Sequence, residues 1–382
     1  MGNRENETLS RMAPGGHGGD VYGKHIRIDF STSISPLGIP DTVRQAYLAA
    51  AGSLSQYPDV SCGKLRAALS DRFRVPAERI VCGNGAAELI FAAASALRPR
   101  RALLTAPGFS EYERGLLAAG CRDIDIYRCR REDGFRIRPD ILDRITEDTD
   151  LFFLCNPQSP AGLLTDQDLL EEISACCRAH HVLLVLDECY MGLLPDPERH
   201  SLKRHLRQEG GAEHLFIIDA FTKTFAMPGL RLGFGMTGSR ALTDRIRAQL
   251  QPWSVSVPAQ AAGCAALKDE AYLKEARSAI REEMAFLTEG LEKRGVWHTD
   301  SDANFVLFEA PEDFGQICLE HGVLVRDCSS FRGLETGTRK SAGTSEDGRQ
   351  FSQRQRYYRA AARSTGEEEE LLQVLDAVLC PV

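Results

Sequence analysis

A chain of 382 residues is long enough for two domains rather than one small core. Its 43% hydrophobic and 26% charged residues are ordinary for a globular enzyme. A formal charge of -8 excludes nucleic acid as the main partner, because binding a phosphate backbone needs a basic surface, whereas a small anion needs only a few well-placed Arg side chains.

In chain order, Met1–Ser10 is polar without the apolar stretch of a secretory signal, and no run of 18 apolar residues follows. A soluble cytoplasmic protein with no membrane partner is therefore expected. The first forty residues are Gly-rich and irregular, so 1–45 reads as an arm that contributes to the substrate site. From about 63 to 255, buried strands (Ile80–Gly83, Arg101–Thr105, Leu151–Cys155, Val182–Asp187, Leu215–Asp219) alternate with helices near 86–97, 111–119, 166–179 and 239–250. Near-continuous apolar strands alternating with helices predict an α/β fold with a mostly parallel sheet covered on both faces, and 46–255 is taken as this large domain.

After Pro258 the pattern changes to a long helix (Ala271–Arg294), strands near 303–308, 323–327 and 357–363, and a helix near 366–379, so 256–382 reads as a smaller α+β domain. Within it, 335–356 is rich in Gly, Ser, Arg and Gln and predicts a mobile loop, because it lacks the apolar surface to offset the entropy of ordering. Twelve cysteines sit in or near apolar runs with no C-x-x-C pair, which points to free thiols and no metal site.

The polar residues of interest follow strand ends, where open sheets bind ligands. In Thr222-Lys-Thr-Phe-Ala-Met-Pro-Gly-Leu-Arg-Leu-Gly233, a Lys at a strand end can lose its proton by desolvation and attack an aldehyde, while Arg231 can return to hold a phosphate. Asp187 ends an apolar strand and leads into Tyr190; it is either a partner for a pyridinium nitrogen or a helix N-cap. Gly83-Asn-Gly-Ala-Ala-Glu88 is either an anion-binding helix start or a simple turn.

With these four features in this order, the chain resembles the fold-type I, aspartate-aminotransferase-like family of pyridoxal-phosphate enzymes along nearly its whole length. The resemblance implies that Lys223 bonds to the cofactor aldehyde, Asp187 pairs with its ring nitrogen, and Tyr190 contacts its phenolic oxygen. It assigns the cofactor phosphate to Gly85, Ala86, Ala87, Thr222 and Arg231, and the ring to Phe109. Tyr57 would reach the phosphate of a neighbouring subunit, making a homodimer with shared sites, and Arg359 would grip a substrate carboxylate. Four stretches, His17–Gly23, Asp29–Gly38, Gly83–Glu88 and Val325–Leu334, are similar to the threonine-phosphate decarboxylases of cobalamin biosynthesis. By that likeness His17, Ser31, Thr32 and Arg326 face the substrate phosphate, with Ser33 nearby.

Three departures stand out. Ser159 and Ala161 occupy Asn156-Pro-Gln-Ser-Pro-Ala-Gly162 where the family has Asn and Thr, Ala220 replaces a hydroxyl residue, and Ser33 replaces an Asn. Ser159 keeps a donor for the cofactor but is shorter than Asn. The expected reaction is decarboxylation of L-threonine O-3-phosphate. Its rivals are transamination, as by a histidinol-phosphate aminotransferase, and a degenerate binding protein of the same fold.

Overall fold

The computed structural model describes residues 16–208, 210–335, 340–344 and 350–379. β1 (Ile28–Asp29) lies in the amino-terminal arm. Seven strands then form one sheet: β2 (Ile80–Gly83), β3 (Arg101–Ala106), β4 (Asp123–Arg128), β5 (Leu151–Cys155), β6 (Leu183–Asp187), β7 (Leu215–Ala220) and β8 (Gly233–Thr237). Their order is β2-β8-β7-β6-β5-β3-β4. From β4 to β7 all pairs are parallel, while β8 runs antiparallel between β7 and β2.

Strand alternation explains why the sheet needs cover on both faces. Phe152, Leu154, Leu184, Leu186 and Ile217 join one apolar core. Their neighbours Phe153, Val185, Phe216 and Ile218 join another on the opposite face. Each is wholly buried, which contributes about 1.5–3 kcal/mol per large side chain. The helix Gln167–Ala179 covers part of the first face and starts where the Asp166 carboxylate accepts from the N–H groups of Asp168 and Leu169. The parallel strands all run toward one edge, so the residues after Cys155, Asp187 and Ala220 come out side by side.

A third core fills the carboxyl-terminal part, around Phe308, Phe314, Leu287 and Leu375. The long helix Glu270–Lys293 joins the two regions: Tyr272, Leu273 and Ala276 pack in the large-sheet core, whereas Ile280, Met284 and Leu287 pack in the third. The change of core therefore falls inside this helix, about twenty residues beyond 256. The second sheet contains β9 (Phe305–Pro311), β11 (Arg326–Asp327), β12 (Lys340–Thr344) and β13 (Gln350–Ala361), with β13 antiparallel to the other three. Separately, β1 pairs in parallel with β10 (Val323–Leu324) and fixes the arm to this region.

One sequence expectation about the fold needs correction, and one strand was not expected. The stretch 335–356 is not a plain loop, because Lys340–Thr344 pairs with Gln350–Arg354; the rest of that expectation falls on 336–339 and 345–349, outside the described residues. β13 pairs with β12 through Gln350–Arg354 and with β9 through Gln355–Ala361, a backbone ladder that forms whatever the side chains. The unexpected strand is β4, which offers no continuous apolar run because its Asp-Ile-Asp-Ile pattern belongs to a half-exposed edge strand. No described helix is long and apolar enough to cross a membrane.

Candidate active site

Beyond the carboxyl edge of the large sheet lies a cavity of about 220 Å³, roofed by the arm and by the second sheet. The large domain contributes Phe109, Ser110, Ser159, Tyr190 and Lys223; the arm contributes His17, Gly18, Ser31 and Thr32. Arg326, Ser330, Phe331 and Arg359 complete the lining. Nine residues singled out in the sequence thus meet in one place, although they span positions 17 to 359.

Lys223 sits in the short helix Phe221–Thr224 at the end of β7, half-buried, its Nζ 5.6 Å from the centroid of the Tyr190 ring. Tyr190 is itself held edge-on by Phe305, 4.9 Å away. Asp187 ends β6 and does not act as a simple helix cap. Its Oδ1 accepts from the Cys189 N–H at 3.0 Å and its Oδ2 from the Tyr112 hydroxyl at 2.8 Å. Sequence alone does not single out Tyr112, since an aromatic in an amphipathic helix signals core and nothing in its neighbours names Asp187.

Arg359 is buried and held by two acceptors, Ser159 Oγ at 3.0 Å and the Ser31 carbonyl at 3.0 Å, while its Nε has no partner among the described residues. Ser159 therefore turns toward this guanidinium. Arg326 donates to Ser330 Oγ at 2.9 Å and lies 5.1 Å over the Phe331 ring. Burial, and then the nearby Arg359, hold the Arg326 guanidinium below its usual range. Two cations close enough to repel each other, with no Asp or Glu among the described cavity-lining residues, make a receptor for an anionic ligand.

The arm is tied down tightly. Ser31 Oγ donates to Asp29 Oδ1 at 2.6 Å and accepts from the Gly19 N–H at 2.7 Å. Thr32 Oγ1 donates to Asp29 Oδ2 at 2.9 Å and accepts from Arg363 at 3.1 Å. These two hydroxyls are engaged in holding the arm while still lining the cavity. Glycine is needed at 18, because a Cβ there would stand 2.2 Å from the Ser31 carbonyl oxygen. His17 Nε2 lies 3.3 Å from Glu111 Oε1 at the cavity mouth. Burial pushes the Glu111 carboxyl up, but hydrogen bonds from His17 and Arg114 outweigh it and hold the group below its ordinary value. Ser33 is buried, its hydroxyl has no partner among the described residues, and it does not line the cavity. Tyr57 also lies outside it, 79% exposed, with its ring 4.8 Å from that of Trp253.

A second feature adjoins the Lys223 turn. The helix Gly85–Leu97 has no side-chain cap, and Asn84 before it donates its amide to the Ser254 carbonyl. Its first N–H groups, at Gly85, Ala86 and Ala87, are thus available to an anion. Arg231 stands against them: a Cβ at Gly85, whose φ is +79°, would lie 2.4 Å from Arg231 Nη2. An uncapped helix start, a guanidinium, a carboxylate at a strand end and a Lys form a donor set that fits pyridoxal phosphate. The anionic tail suits Arg231 and the helix start, the ring nitrogen suits Asp187, and the aldehyde suits Lys223.

Comparison with known proteins agrees with this geometry. Residues 26–354 match the family model described as aminotransferase class I and II. The chain belongs to that family. Its cofactor is pyridoxal 5'-phosphate, and its fold is that of the fold-type I enzymes. Among curated relatives, threonine-phosphate decarboxylase from Salmonella typhimurium is 34% identical over 92% of this chain and 91% of its own. Histidinol-phosphate aminotransferase 1 from Cupriavidus pinatubonensis is 30% identical over 85% of this chain and 86% of its own. Among solved structures, the histidinol-phosphate aminotransferase from Clostridium acetobutylicum superposes with a TM-score of 0.80 at 26% identity, covering 92% of this chain and 99% of that one.

Proposed function

We propose that this family member decarboxylates L-threonine O-3-phosphate to 1-amino-2-propanol O-phosphate, a step serving cobalamin biosynthesis. The observation that carries the reading is the pair Arg326 and Arg359 in a cavity whose described lining has no carboxylate. One substrate bearing both a carboxylate and a phosphate satisfies both guanidinium groups. The likeness to threonine-phosphate decarboxylase supports the same choice.

In this reading Arg359 grips the carboxylate with its forked donors, steadied from behind by Ser159 and Ser31. Arg326 and His17 take the phosphate at the arm side of the cavity. Holding both ends would fix the substrate so that the bond from Cα to its carboxylate, and not the bond to its hydrogen, is the one aligned for cleavage. Bound there, pyridoxal phosphate supplies the electron sink for the bond that breaks at Cα. Asp187 would pair with the ring nitrogen, Tyr190 with the phenolic oxygen, and Phe109 would pack on the ring. Carbon dioxide leaves, and Lys223 returns a proton to Cα. The Gly-rich arm and Phe331 exclude water from this step.

A homodimer in the cytoplasm completes the proposal. Tyr47, Leu48, Leu54, Tyr57, Val60 and Trp253 are all exposed, an apolar set that a second copy would cover while bringing Tyr57 to its partner's site. The described cysteines are free thiols, which suits a reducing compartment.

The experiment is turnover of L-threonine O-3-phosphate beside unphosphorylated L-threonine. A charge-assisted contact contributes about 1.5–3 kcal/mol, so the ester should have a kcat/KM at least ~10-fold higher, and Arg326→Ala should erase most of that preference. Equal turnover of the two would remove the phosphate from the reading.

A further inference from the structure

The geometry points to Tyr112 as a positioning residue that sets the proton-holding strength of Asp187 while fixing Phe109 over the cofactor ring. The inference rests on the proposed pairing of Asp187 with the ring nitrogen. Tyr112 makes both connections at once. Its hydroxyl donates to Asp187 Oδ2 at 2.8 Å, and its ring meets Phe109 edge-on at 5.6 Å and 84°. On its other side the ring stacks on Phe153 of β5 at 5.1 Å and 8°, so it has little freedom to swing away. The side chain is 3% exposed and is not among the residues lining the substrate cavity. It therefore reaches the reaction only through Asp187 and Phe109.

The chemistry follows from counting donors. A carboxylate has about four lone-pair directions. The Cys189 N–H and the Tyr112 hydroxyl take one on each oxygen, which stabilises the ionised form and fixes the carboxylate plane. The other groups facing Asp187 are the thiols of Cys155 on β5 and of Cys189, both pushed up by burial and so uncharged. Behind the strand ends, Lys203 is paired with Glu188 at 3.1 Å and with Asp219 at 2.6 Å. Burial, followed by the Asp187 charge, pushes the Tyr112 hydroxyl well up, so it remains a donor throughout the working pH range. Without it, Asp187 holds a proton more readily and competes for the one that should stay on the ring nitrogen.

The test is Tyr112→Phe, which keeps the ring and removes the hydroxyl. Loss of one hydrogen bond to a charged group should lower kcat ~10- to 100-fold with KM within about threefold, and weaken pyridoxal-phosphate binding to the apoenzyme by a similar factor. The acid limb of the kcat profile, and of the bound cofactor's absorbance, should move to higher pH. Asp187→Asn supplies the control. If Tyr112 acts through Asp187, Tyr112→Phe costs nothing further in the Asp187→Asn background. Additive losses, or an unshifted acid limb, would overturn the inference. Unimpaired cofactor binding by Asp187→Asn would instead overturn the pairing on which it rests. Should Tyr112→Phe fail to fold, difluorotyrosine at 112, a stronger donor on the same ring, should move the acid limb to lower pH, and no movement would count against the inference.

Discussion

Lys223→Ala should lower decarboxylation by at least ~10²–10⁴-fold, the usual worth of a positioned proton donor, with a further loss from the missing covalent hold on the cofactor. The argument is geometric. Lys223 is the only Lys lining the cavity among the described residues, and it stands beside Tyr190 at the end of β7. Borohydride should fix the cofactor to the wild-type peptide containing Lys223 and leave the variant unlabelled. Label on another Lys would contradict the assignment. The same variant tests whether two chains share each site. Co-expressing Lys223→Ala with Tyr57→Ala should give mixed dimers in which one site has both residues intact, restoring part of the activity. No restoration from a demonstrably mixed dimer would place Tyr57 outside the site.

Lys203→Met should destabilise the chain by about 3–5 kcal/mol, because it leaves two buried carboxylates without their cation. Lys203 is 5% exposed; its Nζ lies 2.6 Å from Asp219 Oδ2 and 3.1 Å from Glu188 Oε2. Glu188 also accepts from Ser201 Oγ at 2.6 Å and the Leu202 N–H at 3.1 Å. Burial works against the Lys203 ammonium, but the two carboxylates outweigh it and hold the group above its usual range. Burial lifts the Asp219 carboxyl from 3.8 to about 6 despite Lys203. This network ties the end of β6, which carries Asp187, to the end of β7, which carries Lys223.

The loss should depend on pH, with a sign fixed by linkage. A carboxyl raised in the folded state contributes stability at low pH that is lost as pH rises from its unfolded value through its folded one. In the variant Asp219, without its cation, is raised further, so the deficit opens above about pH 4 and is larger at about pH 8 than at about pH 5. Denaturant midpoints at the two pH values measure this. Adding Asp219→Asn and Glu188→Gln should recover part of the loss, since a neutral cluster has less to desolvate. A deficit equal at both pH values would mean that the carboxylates are not its source.

Residues that depend on their own neighbours in sequence were legible; those defined by distant partners were not. β5, β6 and β7 are apolar runs whose ends present Asp187 and Lys223, and each could be read alone. Lys203 could not, because the two carboxylates that hold it lie 15 and 16 residues away on separate strand ends and nothing local distinguishes it from a surface Lys. Ser159 was read as a shortened cofactor contact, whereas its partner in the fold is Arg359, 200 residues on. The placement of β8 between β7 and β2 likewise depends on non-local pairing that periodicity does not encode.

The central claim, that this site breaks the bond from Cα to the carboxylate, is tested most directly by product analysis with L-threonine O-3-phosphate, with and without 2-oxoglutarate. The account predicts carbon dioxide and 1-amino-2-propanol O-phosphate in equal amounts, at a rate that 2-oxoglutarate does not change. Amino-group transfer that requires 2-oxoglutarate, with the carboxylate retained, would contradict it and make the chain an aminotransferase.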